Sequence, residues 1–264
     1  MTLLLRIAGF LLLSALPGLA SAPARADVWL WAWDRPEDLR WIPAGTGVAY
    51  FAAEFVAAGS RFDATGRRAA LRVRPDTPLL AVLHIEAFDV RHPPILDAAA
   101  VERWADGLHR AIRRLGVSAA QIDFEARAGQ QAFYADVLRA LRARLPQEFR
   151  LSATALASWC GDPAWLDALP LDEVVPMYFR MGTAERDLWR RRMLDPDQLP
   201  AAACRRAAGI ATDEWRSFAG DRPDPAFTRF RGRRLYVFSP SAWQADALRS
   251  LPDWSPGLPS PSTP

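Results

Sequence analysis

The chain contains no lysine: all 33 of its basic residues are arginine. An absence that complete reads as GC-rich coding. It does not read as a nucleic-acid footprint, because no basic run interleaves with aromatic residues, so no nucleic-acid partner is expected. Other shortages exclude further chemistries. There are only three histidines (His84, His92, His109), and neither His-x-His nor His-Glu-x-x-His spacing occurs, so no metal centre is expected. No Gly-rich dinucleotide fingerprint or phosphate loop is present, and no cofactor is expected. Ser158 lacks a Gly-x-Ser-x-Gly elbow and a histidine partner, which removes it as a triad serine. Cysteine is scarce as well, with Cys160 and Cys204 alone.

Long apolar runs are missing after the first two dozen residues. Residues 1–26 carry an early cation (Arg6), an apolar run from Ile7 to Leu13 and small residues leading to Ala24-Arg25-Ala26. That is the pattern of a secretory signal peptide cut before Asp27. A cut after Ala22 is disfavoured by Pro23, and a membrane anchor would need about 20 apolar residues, which Pro17 and Arg25 interrupt. No cysteine follows the run to carry a lipid. The expectation is a periplasmic or secreted monomer with no integral membrane segment once the signal is removed. Setting Arg6 and Arg25 aside leaves 31 of the 33 basic residues against 30 acids, so the exported chain is close to neutral. An oxidising compartment favours a Cys160–Cys204 bridge. The order of segments instead sets the two cysteines toward opposite ends of a barrel, and the sequence leaves the bridge open.

What is present is an alternation of strands and helices. Eight strand candidates begin near Val28, Gly47, Pro78, Gln121, Arg150, Asp172, Ala207 and Arg234. Helices are predicted over about Asp97–Leu115, Gln130–Leu145, Ala164–Leu169, Ala184–Met193 and Ala242–Leu251, the first two with clear apolar stripes. This order predicts a (β/α)8 TIM-type barrel over 27–254, with an open α/β sheet as the fallback. Its first half is irregular, because residues 56–76 show a hairpin-like or irregular crossover and no helix. Residues 255–264 are Pro/Ser-rich and predicted to be disordered.

In such a barrel the chemistry belongs at the C-terminal ends of the strands. Those ends carry Asp34, Glu54, His84 with Glu86, Asp123 with Glu125, Ser158 with Trp159, Tyr178 with Arg180, Asp213 with Glu214, and Ser239. The most informative is Gln121-Ile-Asp-Phe-Glu125. Alternation along a strand sends Asp123 and Glu125 to one side, with Cα atoms ~6–7 Å apart at ~3.3 Å per residue. Paired carboxylates with different environments are what acid/base chemistry on a glycosidic bond requires. Glu125 is the candidate general acid, and Asp123, Glu86 or Glu54 the second carboxylate. Trp33, Asp34, His84, Trp159, Tyr178 and Arg180 are candidate substrate-binding residues, and the expected ligand is a carbohydrate or polysaccharide. The competing account is an ion-pair network in which Arg127 or Arg180 neutralises the acids. Trp29, Trp31 and Trp33 share one face and read first as layer packing.

Four segments carry a resemblance: Val28-Trp-Leu-Trp-Ala-Trp33, His84-Ile-Glu86, Gln121-Ile-Asp-Phe-Glu125 and Pro176-Met-Tyr-Phe-Arg-Met-Gly182. Together they resemble a family of bacterial exported proteins known as domain of unknown function 3142, across most of the mature chain. More distantly, the chain resembles TIM-barrel glycosidases of chitinase family eighteen, which end strand four in Asp-x-Glu and carry Met-x-Tyr-Asp on strand six. That resemblance implies Glu125 as proton donor, Asp123 as its partner and Tyr178 as an approximate match. It also shows departures, with Gln121 where another Asp would stand and no strand-six Asp. The two functional expectations are an exported glycoside hydrolase and a catalytically silent carbohydrate- or envelope-binding barrel.

Overall fold

The computed structural model describes residues 28–214 and 232–249. The predicted signal segment, the Pro/Ser-rich tail and the end of the last predicted helix lie outside these residues. Eight strands close a barrel: β1 (Val28–Ala32), β3 (Gly47–Ala58), β6 (Leu79–Glu86), β7 (Ala119–Asp123), β8 (Arg150–Leu156), β9 (Glu173–Met177), β10 (Ala207–Ala211) and β11 (Arg234–Phe238). All neighbouring pairs are parallel, and β1 pairs with both β11 and β3 to complete the ring. The fold is the predicted (β/α)8 barrel, and its front half is irregular as expected. In place of a first helix, β4 (Arg61–Gly66) runs back antiparallel along β3, while β2 (Glu37–Asp38) and β5 (Leu71–Arg72) form a small separate ladder.

The helices are α1 (Ala98–Leu115), α2 (Gln131–Arg142), α3 (Pro163–Leu166), α4 (Arg186–Leu194) and α5 (Ala245–Arg249). α1 begins where Asp97 accepts a hydrogen bond from the Ala100 N–H, and it ends at Gly116, whose left-handed φ of 63° suits a residue without Cβ. Its buried stripe is Trp104, Leu108 and Ile112. Trp104 stacks on Phe62 of β4 and meets Phe124 and Phe133 edge-on, so the hairpin takes the place of the missing helix in that layer.

The barrel interior is a second, smaller core. Trp29, Trp31, Ala49, Val82, Val175 and Tyr236 point inward, and their outward neighbours join the helical layer. Two indoles, Trp29 and Trp31, pack in the lumen, and glycines make room for them. A Cβ on Gly209 would come within 2.8 Å of the Trp31 ring, and one on Gly47 within 2.5 Å of the Trp29 ring. The N-terminal end is closed by Glu173, which pairs with Arg234 at 2.6 Å and accepts from the Tyr236 hydroxyl at 2.7 Å.

Cys160 and Cys204 form a disulfide with Cα atoms 5.9 Å apart. The open question is settled by a shortened strand. β8 stops at Leu156, and residues 157–161 turn back as a 3-10 helix on the outer layer, where the Ala201 N–H donates to the Cys160 carbonyl. The cysteines therefore meet outside the barrel.

Candidate active site

The C-terminal mouth of the barrel holds a cavity of about 250 Å3. Its floor and one wall are aromatic. Trp31 lies beneath, Trp33 stands at the end of β1, and Phe179 and Phe238 stack with rings 5.4 Å apart and almost parallel. The other wall is polar, made by His84, Asp123, Glu125 and Thr154, and Met177 and Arg180 complete the lining.

Strand parity explains why these side chains converge. On β7 and just past it, Ile122 and Phe124 go to the outer core while Gln121 and Asp123 face the lumen. Glu125 lies beyond the last strand residue, yet it lines the same cavity as Asp123. Gln121 sits one layer below and accepts a hydrogen bond from Trp31 Nε1 at 2.8 Å. Thr154 of β8 donates to Asp123 Oδ1 at 2.6 Å, and His84 Nδ1 lies 2.8 Å from Asp123 Oδ2. The His84 ring meets Trp33 edge-on at 5.7 Å.

Glu54 reaches this face through a bulge. The β3–β6 register slips between Phe51 and Ala53, which brings Glu54 opposite the inward-facing His84 and places Val56 opposite Glu86. Without the extra residue Glu54 would face the helical layer. Glu54 and Glu86 are both near enough to His84 for their charges to act on it, although neither forms part of the cavity wall.

Asp123 and Glu125 have different surroundings. Burial raises the Glu125 carboxyl above its ordinary range and the charge on Asp123 raises it further; His84 opposes this, and Glu86 adds a smaller upward push. By surface area the residue is exposed, so this burial belongs to a cavity wall that still reaches solvent. Asp123 is 7% exposed and accepts two side-chain hydrogen bonds. Burial alone would lower His84, but its hydrogen bond to Asp123 and the surrounding carboxylates raise it above 6.5.

Other expected site residues lie elsewhere. Asp34 does not line the cavity. Its Oδ1 accepts from the backbone N–H groups of Arg68 and Ala69, which pins the loop after β1, and the Ala69 bond leads in holding its carboxyl below the usual range. Trp159 is on the 3-10 turn after β8, packed edge-on against Trp165 in the outer layer and 5% exposed. Tyr178 is wholly buried in the outer core, because Met177 takes the inward position and Phe179 the next one. Arg180 lines the mouth with a left-handed φ of 56°, clamped to Asp213 at 2.7 Å and Glu214 at 2.6 Å. Sequence reasoning passed over Thr154, Met177, Phe179 and Phe238. Counting alternate residues inward from Ser152, Val175 and Tyr236 would have found all four. Among the described residues no group of three or more His, Cys, Asp or Glu side chains is placed to hold a metal.

No family model and no curated protein matches the chain, so the likeness to domain of unknown function 3142 rests on the four quoted segments alone. Solved structures do match. A protein of Streptomyces coelicolor assigned as a chitinase A aligns with a TM-score of 0.58 at 12% identity, covering 90% of this chain and 98% of that one. A family eighteen chitinase of Chromobacterium violaceum aligns with a TM-score of 0.48 at 12% identity, over 84% and 85%. An endo-β-N-acetylglucosaminidase of Cordyceps militaris follows at 0.47 and 11%, over 81% of each chain. The first likeness defines the class of fold, the TIM barrel found in chitinases. At such identities it defines nothing finer.

Proposed function

We propose that this protein is an exported glycoside hydrolase acting on a bacterial-envelope or extracellular polysaccharide, with Glu125 as proton donor and Asp123 as its charged partner. One observation carries the reading. Two carboxylates share one wall of an aromatic-sided cavity at the catalytic end of the barrel, one hydrogen-bonded on both oxygens and the other raised by burial. Asp123 is hydrogen-bonded on both oxygens, which suits a carboxylate, whereas Glu125 is raised toward the protonated form a general acid needs. Trp33, Phe179 and Phe238 offer flat apolar faces against which a sugar ring stacks. The named activities of the structural neighbours support a glycan as ligand. Export rests on the Ala24-Arg25-Ala26 pattern, with support from the disulfide.

A specific observation favours the silent-binder reading. Aligning Met177 with the Met of Met-x-Tyr-Asp puts Phe179 and Arg180 at the Tyr and Asp positions, so neither of those two groups is supplied. Incubating the mature protein with bacterial exopolysaccharides and peptidoglycan and measuring new reducing ends separates the two. For the hydrolase, Glu125→Gln lowers turnover by about 10²–10⁴-fold, the usual contribution of a general acid, with ligand binding retained. Binding without reducing ends establishes the silent barrel. Hydrolysis unchanged in Glu125→Gln would move the assignment to Glu86 and Glu54.

A further inference from the structure

Asp123 has neither carboxylate oxygen free. Thr154 holds Oδ1 from β8 and His84 holds Oδ2 from β6, the strands on either side of β7. Among the described residues Glu125 accepts no hydrogen bond, from Asp123 or any other group. A carboxylate pinned from both flanks cannot turn to share a proton with its neighbour. It acts on Glu125 through charge alone.

We propose that His84 is a positioning residue: with Thr154 it locks the Asp123 carboxylate in place, and the charge it carries sets the field that Asp123 presents to Glu125. The inference rests on the reading of Glu125 as proton donor. The surroundings of the ring suit a cation. The charges that reach it are all negative: Asp123 from β7, Glu54 from β3 and Glu86 from its own strand. Glu125 is coupled to it across the cavity. Trp33 and Phe51 close its other sides with rings at 5.7 and 6.3 Å. Tyr134 of α2, buried in the outer layer, also senses the Asp123 charge and bears none itself. Arg180, the other cation of the cavity, is taken up by Asp213 and Glu214. As imidazolium, His84 makes its pair with Asp123 neutral overall. As imidazole, it leaves a full negative charge beside Glu125, which then keeps its proton to higher pH.

The test is His84→Asn, whose side-chain amide nitrogen takes the place of Nδ1 and still donates to Asp123 but bears no charge. The alkaline limb of kcat/KM is expected to move to higher pH by roughly half a unit to one unit, the size of effect a nearby charge exerts. A purely structural histidine would change the height of the profile and leave its limbs in place. His84→Ala, which removes the hydrogen bond too, should lower kcat at every pH with KM little altered. Carbon-13 titration of the Glu125 carboxyl in the free protein gives the same reading without turnover, with the same upward move expected in His84→Asn. A Glu125 titration identical in the two proteins overturns the proposal. A shifted titration in a protein that releases no reducing ends refutes the hydrolase reading and leaves the His84–Asp123–Glu125 coupling established.

Discussion

Asp123 and Glu125 are the same chemistry two positions apart, and their neighbours divide them. The division has consequences for stability that can be measured without a substrate. His84 is raised above 6.5 in the folded protein. A group of that kind contributes stability that is fully present below its unfolded pKa and is lost as pH rises through the folded one. Urea unfolding of the wild type should therefore show a loss of stability as pH climbs from about 6.5. Asp123→Asn removes the anion that holds the proton, so its unfolding free energy should vary less over that window. Glu125 is also raised, from 4.5, and the same sign applies at lower pH. The stability difference between wild type and Glu125→Gln should move in favour of the variant as pH rises above about 4.5. A difference that stays flat would mean that Glu125 is no more buried than a surface acid.

At the scale of elements, strand parity decides most of what the site contains. His84 and Glu86 were legible because both lie on β6, where the period of two sends them to one side, and Asp123 was legible as the last residue of β7, with Glu125 just past the strand lining the same cavity. Residues chosen by type at a guessed strand end were not. Tyr178 looked attractive as a tyrosine after methionine, but one step of parity sends it outward and Phe179 inward. Trp159 followed a strand-like segment of small and apolar residues, and nothing in its spacing signals that β8 gives way to a 3-10 turn at Ala157. Glu54 has the reverse history. Its inward direction depends on a bulge that residue spacing does not reveal. The packing of elements inside the lumen makes its own prediction. Gly209 of β10 faces the Trp31 indole, which is fixed by its bond to Gln121 and by Tyr236 at 5.3 Å. The carbonyl of Pro176 closes the space on a second side at 3.3 Å. Neither backbone nor a bonded indole yields easily, so Gly209→Ala should cost about 1–3 kcal/mol as an overpacking substitution. Thermal unfolding reports it, at about 2–4 °C per kcal/mol for a chain of this size.

For the molecule as a whole, the closed ring of eight parallel strands leaves one part of the helical layer in need of fastening. Between β8 and β10 the chain makes only β9, two short helices and 3-10 turns, where a longer helix would pack the outer face of the barrel in a regular unit. The disulfide spans this stretch, with a sequence separation of 44 residues, and joins the turn after β8 to the approach to β10. Both sulfurs are fully buried beside Leu199 and Ala201, so the bridge staples the outer layer without touching the cavity. In the chain-entropy account, closing a loop of that length restricts the unfolded ensemble by about 4 kcal/mol. Replacing both cysteines by serine should therefore lower the melting temperature by roughly 8–16 °C, at about 2–4 °C per kcal/mol. Because neither cysteine lines the cavity, the proposed glycan binding, measured well below that melting temperature, should be unchanged. The wild type purified without reductant should show no titratable thiol after denaturation, since no cysteine is free. A melting point unmoved by the double serine substitution would show that packing around β9 holds this layer without its staple.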